Sequence, residues 1–279
     1  MGSGKDLPEK PGSLGECLEE IYRTYNRREM IHPDPLEFLW RYDDVGDRET
    51  AGIVSSGLAY GRVAQILAST GRVLDMLGPS PFSFIGDMSG RDLQEELRGF
   101  RHRFTTGAEM ASLLSAVSFL QREWGSLGGF LAFLAGRAPF LEALDTFVAT
   151  LLEKAGLDRC SLLPRPGLGS ACKRLHLYLR WMVRSDDVDP GGWEGIPASA
   201  LMVPVDTHMY RLGRAMGFTR RKAVDLRTVM EITGGFRRLN PADPAKYDFA
   251  LTRMGIQGRE GDRLFTDLME RHCPFIDRE

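Results

Sequence analysis

Ser170-Ala-Cys-Lys-Arg-Leu-His-Leu-Tyr-Leu-Arg-Trp-Met-Val-Arg184, followed after a Pro/Gly-rich connector by Val203-Pro-Val-Asp-Thr-His208, is the stretch that organises the chain. On a helical wheel Ala171, Leu175, Tyr178, Leu179 and Met182 share one side, as a buried stripe requires. Lys173, Arg180 and Arg184 gather on the other side, because seven and eleven residues are close to whole turns. The pattern predicts a basic helix from Ser170 to Arg184 with an outward cationic face. An ordinary solvated face is the plain alternative. Asp206 stands where an N-cap belongs, with Gly217 closing the helix it opens. A cap of this kind stabilises a helix by about 0.5–2 kcal/mol and needs no further role.

Outward from this stretch, apolar residues recur at three and four, and strand-like alternation is nearly absent. The expectation is an all-α fold. Helices are predicted over 14–28, 49–59, 62–77, 108–123, 130–135, 139–154, 207–216, 220–233, 244–254 and 262–271. Residues 36–42, which include Trp40, read as extended or helical. Gly61 marks a break, Pro79 and Pro81 read as stops, and Thr105 or Thr106 as a cap. Arg98-Gly-Phe-Arg-His-Arg-Phe104 is a short basic and aromatic segment. Residues 1–13 read as a loose tail, and 14–279 as one domain of two helical subdomains.

Composition narrows the class. With 279 residues, 43% of them hydrophobic, the chain can bury a full core. Cys17, Cys160, Cys172 and Cys273 are scattered without paired spacing, which speaks against a disulfide framework or a zinc ribbon and for a cytoplasmic location. No long apolar run suggests a membrane span. The net charge of -2 hides local asymmetry: residues 159–184 carry six Lys/Arg and no acid, and 211–227 carry six Lys/Arg against Asp225 alone. Such patches can follow a phosphate backbone on a near-neutral protein. Pro-Arg-Pro-Gly-Leu-Gly169, a Gly-rich turn feeding a helix N-terminus, could offer backbone N–H groups to an anion.

These residues resemble the helix-hairpin-helix DNA glycosylase superfamily, which includes endonuclease III and, as nearest analogue, the archaeal 8-oxoguanine DNA glycosylase. The likeness rests on Pro166-Gly-Leu-Gly169 leading to Lys173 and on Pro204-Val-Asp-Thr-His208 with the Tyr-Arg-Leu-Gly helix behind it. The resemblance implies a helix-hairpin-helix with a cleft between the two subdomains, and Lys173 and Asp206 as catalytic residues. It implies DNA contacts from Gly167, Gly169, Ser170, Arg174, Arg180 and Arg184, and a base pocket drawn from Tyr60, Trp181, Trp193 and His208. Ser185–Met202, which separates the two key residues, would be a pocket wall. The implied function is a DNA repair glycosylase with AP lyase activity, acting on DNA that carries a damaged base, an oxidised purine foremost, or an abasic site. The protein would be a monomer without a cofactor, since the cysteine cluster that holds the iron–sulfur group of endonuclease III is represented only by Cys273. The alternatives are a catalytically silent nucleic-acid-binding module and a helical protein unrelated to nucleic acid. The chain also looks like a member of an uncharacterised bacterial family of unknown function, through Gly57-Leu-Ala-Tyr-Gly-Arg62, Arg101-His-Arg-Phe-Thr-Thr-Gly107, Ser170–Arg174, Leu179–Arg184 and Lys246-Tyr-Asp-Phe-Ala-Leu251.

Overall fold

The computed structural model describes residues 13–256, and the fold is all-α. Residues 1–12 of the expected tail, the helix expected over 262–271 and Cys273 lie outside the described residues.

Local sequence starts and stops most helices. Ser13 and Glu16 form a capping box that opens α1, Leu14–Tyr25. Asp44 accepts two backbone N–H bonds to open α2, Val45–Gly57, and α3 follows over Val63–Leu77. Pro81 does not stop the chain as the sequence suggests. It occupies the first turn of α4, Pro81–Asp87, where its missing N–H costs nothing. The Ser89–Asp92 capping box then opens α5, Gly90–Glu96. A two-residue antiparallel pair, β1 at Arg101–His102 and β2 at Thr105–Thr106, interrupts the helices unannounced by any alternating pattern. Thr106 caps α6, Gly107–Trp124, and Ser126 caps α7, Leu127–Ala135. The next helix, α8, Phe140–Ala155, ends at Gly156 in the left-handed region.

The later elements are α9, Lys173–Val183; α10, Thr207–Ala215; α11, Leu226–Leu239; and α12, Asp248–Ile256. Three of them start later than the sequence suggests, α9 at Lys173 rather than Ser170 among them. Asp225, whose carboxylate accepts the Thr228 N–H at 3.0 Å, sets the start of α11. Residues 244–247 form turns before α12 rather than its first turn.

Buried side chains form two clusters. The larger draws on residues 31–201 with Ala245 and Phe249, and includes Leu39, Ile53, Val117, Phe147 and Leu179. The smaller joins the two ends of the described chain: Leu18 and Ile21 of α1 meet Val205, Met209, Ile232, Phe236 and Leu251. Glu19 fixes this layer further, accepting from Lys246 and from the Tyr247 hydroxyl, each at 2.6 Å.

The central element is α9. Leu175, Tyr178, Leu179 and Met182 are buried as the wheel requires, but His176, Arg180 and Trp181 are buried too. The expected outward basic face is therefore corrected. Arg180 pairs with Asp189 and Asp248, and Arg184 with Asp186, Asp189 and Asp243. Burial alone disfavours both cations, but the facing carboxylates outweigh it and raise both above the ordinary arginine value. Asp186 and Asp189 come from the connector after α9, whereas Asp243 and Asp248 come from the smaller layer, so the two arginines tie the layers together.

Removing one member of such a buried network leaves an uncompensated charge, which costs about 3–5 kcal/mol. Arg180→Met, which leaves buried Asp248 without its guanidinium, is therefore expected to lose stability of about that size in urea denaturation. An exposed pair such as Arg41–Asp75, 3.1 Å apart at the surface, should change by less than about 1 kcal/mol when Asp75 is truncated.

Candidate active site

A cavity of about 470 Å³ opens between the larger cluster and the smaller layer. Its walls include Pro33 to Pro35, Ala59 to Gly61, Ile66, Leu177, Pro204, Phe249 and Thr252, and its charged groups are Asp34, Lys173, Arg180, Asp206 and Asp248, with His208 beside them. Apolar walls with a few converging polar groups are the usual make-up of a site for a small organic group.

Lys173 and Asp206 meet in this cavity. Lys173 is the first residue of α9, and its Nζ lies 3.2 Å from Asp206 Oδ2. Asp206 is the N-cap of α10, its Oδ1 accepting the Met209 N–H at 2.8 Å. One carboxylate thus performs two tasks with separate oxygens. Burial raises its pKa, but Lys173 and the Met209 N–H outweigh burial and hold it below the ordinary carboxylate value. About a third of each side chain remains exposed, so both can reach a ligand. A primary amine beside a carboxylate can, once it gives up its proton, attack an electrophilic carbon, and the carboxylate can carry that proton or face a developing positive charge.

Cys172, the neighbouring nucleophile type, is excluded from such a role at neutral pH. Burial pushes its thiol up to about 11, and the Sγ is turned to the Pro164 carbonyl at 3.4 Å. Asp248 belongs to the wall as well: burial lifts its carboxyl to about 6 against the pull of Arg180.

The cavity brings two of the four expected base-pocket residues to its wall. Tyr60 lies there, with its hydroxyl donating to the His102 carbonyl at 2.9 Å and 2.6 Å from Thr105 Oγ1. His208 lies there too, Nε2 3.2 Å from the Leu251 carbonyl oxygen, its ring so close to the Gly255 α-carbon that a β-carbon would not fit. Trp181 and Trp193 do not line it. Trp181 is packed in the core, and the Trp193 indole N–H donates to buried Glu49 at 2.7 Å while the ring stands edge-on to Tyr178. The connector over 185–202, expected as a pocket wall, instead runs behind α9, where Gly191 N–H donates to the Trp181 carbonyl and Trp193 N–H to that of Met182.

The expected phosphate contacts are also placed differently. Gly167 N–H donates to Asp145 at 2.7 Å, so a carboxylate of the chain already fills the place expected for an anion. Gly169, in the left-handed region, donates to the Pro166 carbonyl, and Ser170 Oγ accepts from Cys172 N–H. Arg174 donates to the Gly57 carbonyl at 2.7 Å, and its guanidinium lies over the Tyr60 ring. Together with buried Arg180 and Arg184, these residues brace the fold. Asp186, Asp189, Asp243 and Asp248 neutralise the two arginines of the cationic face that the wheel leaves free, and no spacing in the sequence links them to it.

Phe104 does not line the cavity but backs its Tyr60 wall, a contact that sequence reasoning misses. It is 59% exposed at the β1–β2 turn and stacks on Tyr60 with ring centroids 4.8 Å apart. The signal for it is the basic and aromatic run that ends there. Among the described residues, no group of three or more His, Cys, Asp or Glu side chains is placed to hold a metal ion, and no helix is long and apolar enough to cross a membrane.

A family model described as a protein of unknown function (DUF2400) matches residues 34–257, so the chain belongs to that family. Neither the curated proteins nor the solved structures contain a match to it.

Because Asp206 has a depressed pKa in the folded chain, its stabilising contribution is complete above the unfolded carboxylate value and is lost as pH falls through the lower folded one. Asp206→Ala should lose about 0.5–2 kcal/mol at neutral pH with the cap, and Asp206→Asn, which keeps an acceptor, less. Urea melts repeated below pH 3.8, the ordinary value for the group, should show the wild type and the Asn variant converging.

Proposed function

We propose that this member of a family of unknown function is a DNA glycosylase with AP lyase activity, with Lys173 as the nucleophile and Asp206 as its partner. The observation that carries the reading is the 3.2 Å approach of Lys173 Nζ to Asp206 Oδ2 in the wall of a largely apolar cavity. The resemblance to the helix-hairpin-helix glycosylases assigns the same two residues. A damaged nucleotide must leave the base stack to be reached, and the cavity offers it Tyr60 and His208 beside the lysine.

In this reading Lys173, relieved of its proton by Asp206, attacks C1′ of the flipped nucleotide. The bond from C1′ to the base breaks, and the base leaves with the electron pair and takes up the proton that Asp206 received, which leaves Asp206 ionised again. Opening of the sugar gives a Schiff base to Nζ. Loss of a proton from C2′ then drives β-elimination: a double bond forms between C2′ and C3′, the bond from C3′ to oxygen breaks, and the phosphate leaves with the electron pair, nicking the strand. The Asp206 carboxylate, ionised at neutral pH, faces the positive charge that develops on the sugar. An oxidised purine is the substrate class the resemblance favours, and a monomer in the cytoplasm fits the reading. A second reading is a silent nucleic-acid-binding module, favoured by the same ion pair taken as a latch between α9 and α10.

Borohydride reduction in the presence of an abasic or 8-oxoguanine duplex separates the two. The expected result is a covalent protein–DNA adduct that Lys173→Gln abolishes and Asp206→Asn slows by about 10²-fold or more. An adduct that survives Lys173→Gln would move the nucleophile elsewhere. Absence of any adduct across a broad lesion panel would leave the silent module.

A further inference from the structure

The six Lys/Arg of residues 211–227 take no part in the cavity, yet they belong to a firmly built element. The loop between α10 and α11 is braced from within. Arg221 donates to Asp225 at 2.6 Å and to Thr228 Oγ1 at 3.1 Å, and its own carbonyl accepts from the Tyr210 hydroxyl at 2.7 Å. Thr219 Oγ1 donates to Glu231, and Thr228 Oγ1 to the Ala223 carbonyl. Arg221 is thus committed to holding the loop, whereas Arg220, Lys222 and Arg227 are exposed.

The place of this loop matters as much as its charge. Leu226 N–H, at the start of α11, donates to the Gly169 carbonyl at 3.0 Å, pinning the loop to the turn that enters α9. Lys173 follows Gly169 by four residues, a reach of at most about 14 Å. At about 3.4 Å of helix axis per phosphate on one strand, that reach corresponds to about four nucleotides. Leu168 and Val224, 73% and 43% exposed, flank the pinned hydrogen bond and give the surface apolar ground suited to sugars.

We infer that the α10–α11 loop is the track along which a nucleic-acid backbone runs toward the cavity, its phosphates meeting Arg220, Lys222 and Arg227. Cations that carry no internal partner can replace the counterions of a phosphate chain, and a rigid loop holds them at fixed spacing. This surface takes the part that the resemblance assigns to Arg174, Arg180 and Arg184, which the fold turns inward. It rests on the nucleic-acid half of the proposed function and is independent of the lysine chemistry.

The test is fluorescence anisotropy of the full chain on an undamaged duplex oligonucleotide between 50 and 200 mM salt, about the range over which phosphate binding loses most of its affinity. The triple substitution Arg220→Ala, Lys222→Ala, Arg227→Ala is expected to weaken binding at least tenfold and to flatten the log–log salt slope by about 2 to 3, near 0.9 for each phosphate no longer neutralised. Its melting temperature should match the wild type, because none of the three side chains braces the loop. A control triple at exposed Arg91, Arg122 and Arg137 should leave slope and affinity unchanged. An unchanged slope in the Arg220 triple would overturn the inference, as would a wild type that binds phosphatidylserine vesicles but no DNA. A borohydride adduct with an unchanged slope removes this surface alone. A flattened slope without any adduct keeps the surface and removes the lyase.

Discussion

Two guanidinium groups in the interior set the terms for this fold. Arg180 and Arg184 could not be buried without carboxylates close enough to offset their desolvation, and those carboxylates come from two places. Asp186 and Asp189 are delivered by the connector that doubles back behind α9, and Asp243 and Asp248 by the layer that contains α1 and α12. The second half of α9 is therefore clamped by these pairs, with Arg180 reaching the cavity wall as it makes them. Its first residue, Lys173, stands beyond that clamp, where the two layers part. The same charges that join the layers fix the direction in which α9 presents its lysine.

Much of this is legible locally. The apolar stripe of α9, the Thr106 and Asp206 caps and the Gly156 stop depend on neighbours within a turn or two, and such signals survive in the sequence. The pairing of Lys173 with Asp206 is accessible only through resemblance, since the residues are 33 positions apart. What stays hidden has a common cause: it depends on partners distant in the chain. Arg180 looks like a surface residue until Asp248 is set against it, and Arg174 like a phosphate ligand until the Gly57 carbonyl receives it. Trp193 is an aromatic suited to stacking until Glu49, buried among Gln121, Gly128 and the indole N–H, claims it. The Gly-rich turn offers amides to an anion, and Asp145 is that anion.

The double duty of Asp206 bears on how such a site tolerates change. One oxygen serves α10 and the other faces Lys173, so the backbone of α10 and the amine are positioned by a single group. A substitution that keeps the acceptor and discards the charge separates the two tasks. Tyr60 is similarly anchored, with its hydroxyl tied to the β1–β2 turn and its ring between Arg174 and Phe104. The aromatic edge of the cavity is therefore as firmly placed as its charged edge.

The smaller layer is assembled from the beginning and the end of the described chain, with α1 packed against α12. As the polypeptide leaves the ribosome, α1 emerges well ahead of its partners and waits with Leu18 and Ile21 uncovered until α10, α11 and α12 have followed. The cleft cannot exist before then, because Asp206 and His208 belong to that late layer. A chain cut short by damage to its message would hold Lys173 without its partner and would leave the apolar face of α1 open to chaperones and proteases, so synthesis of the late layer itself decides when the cavity forms.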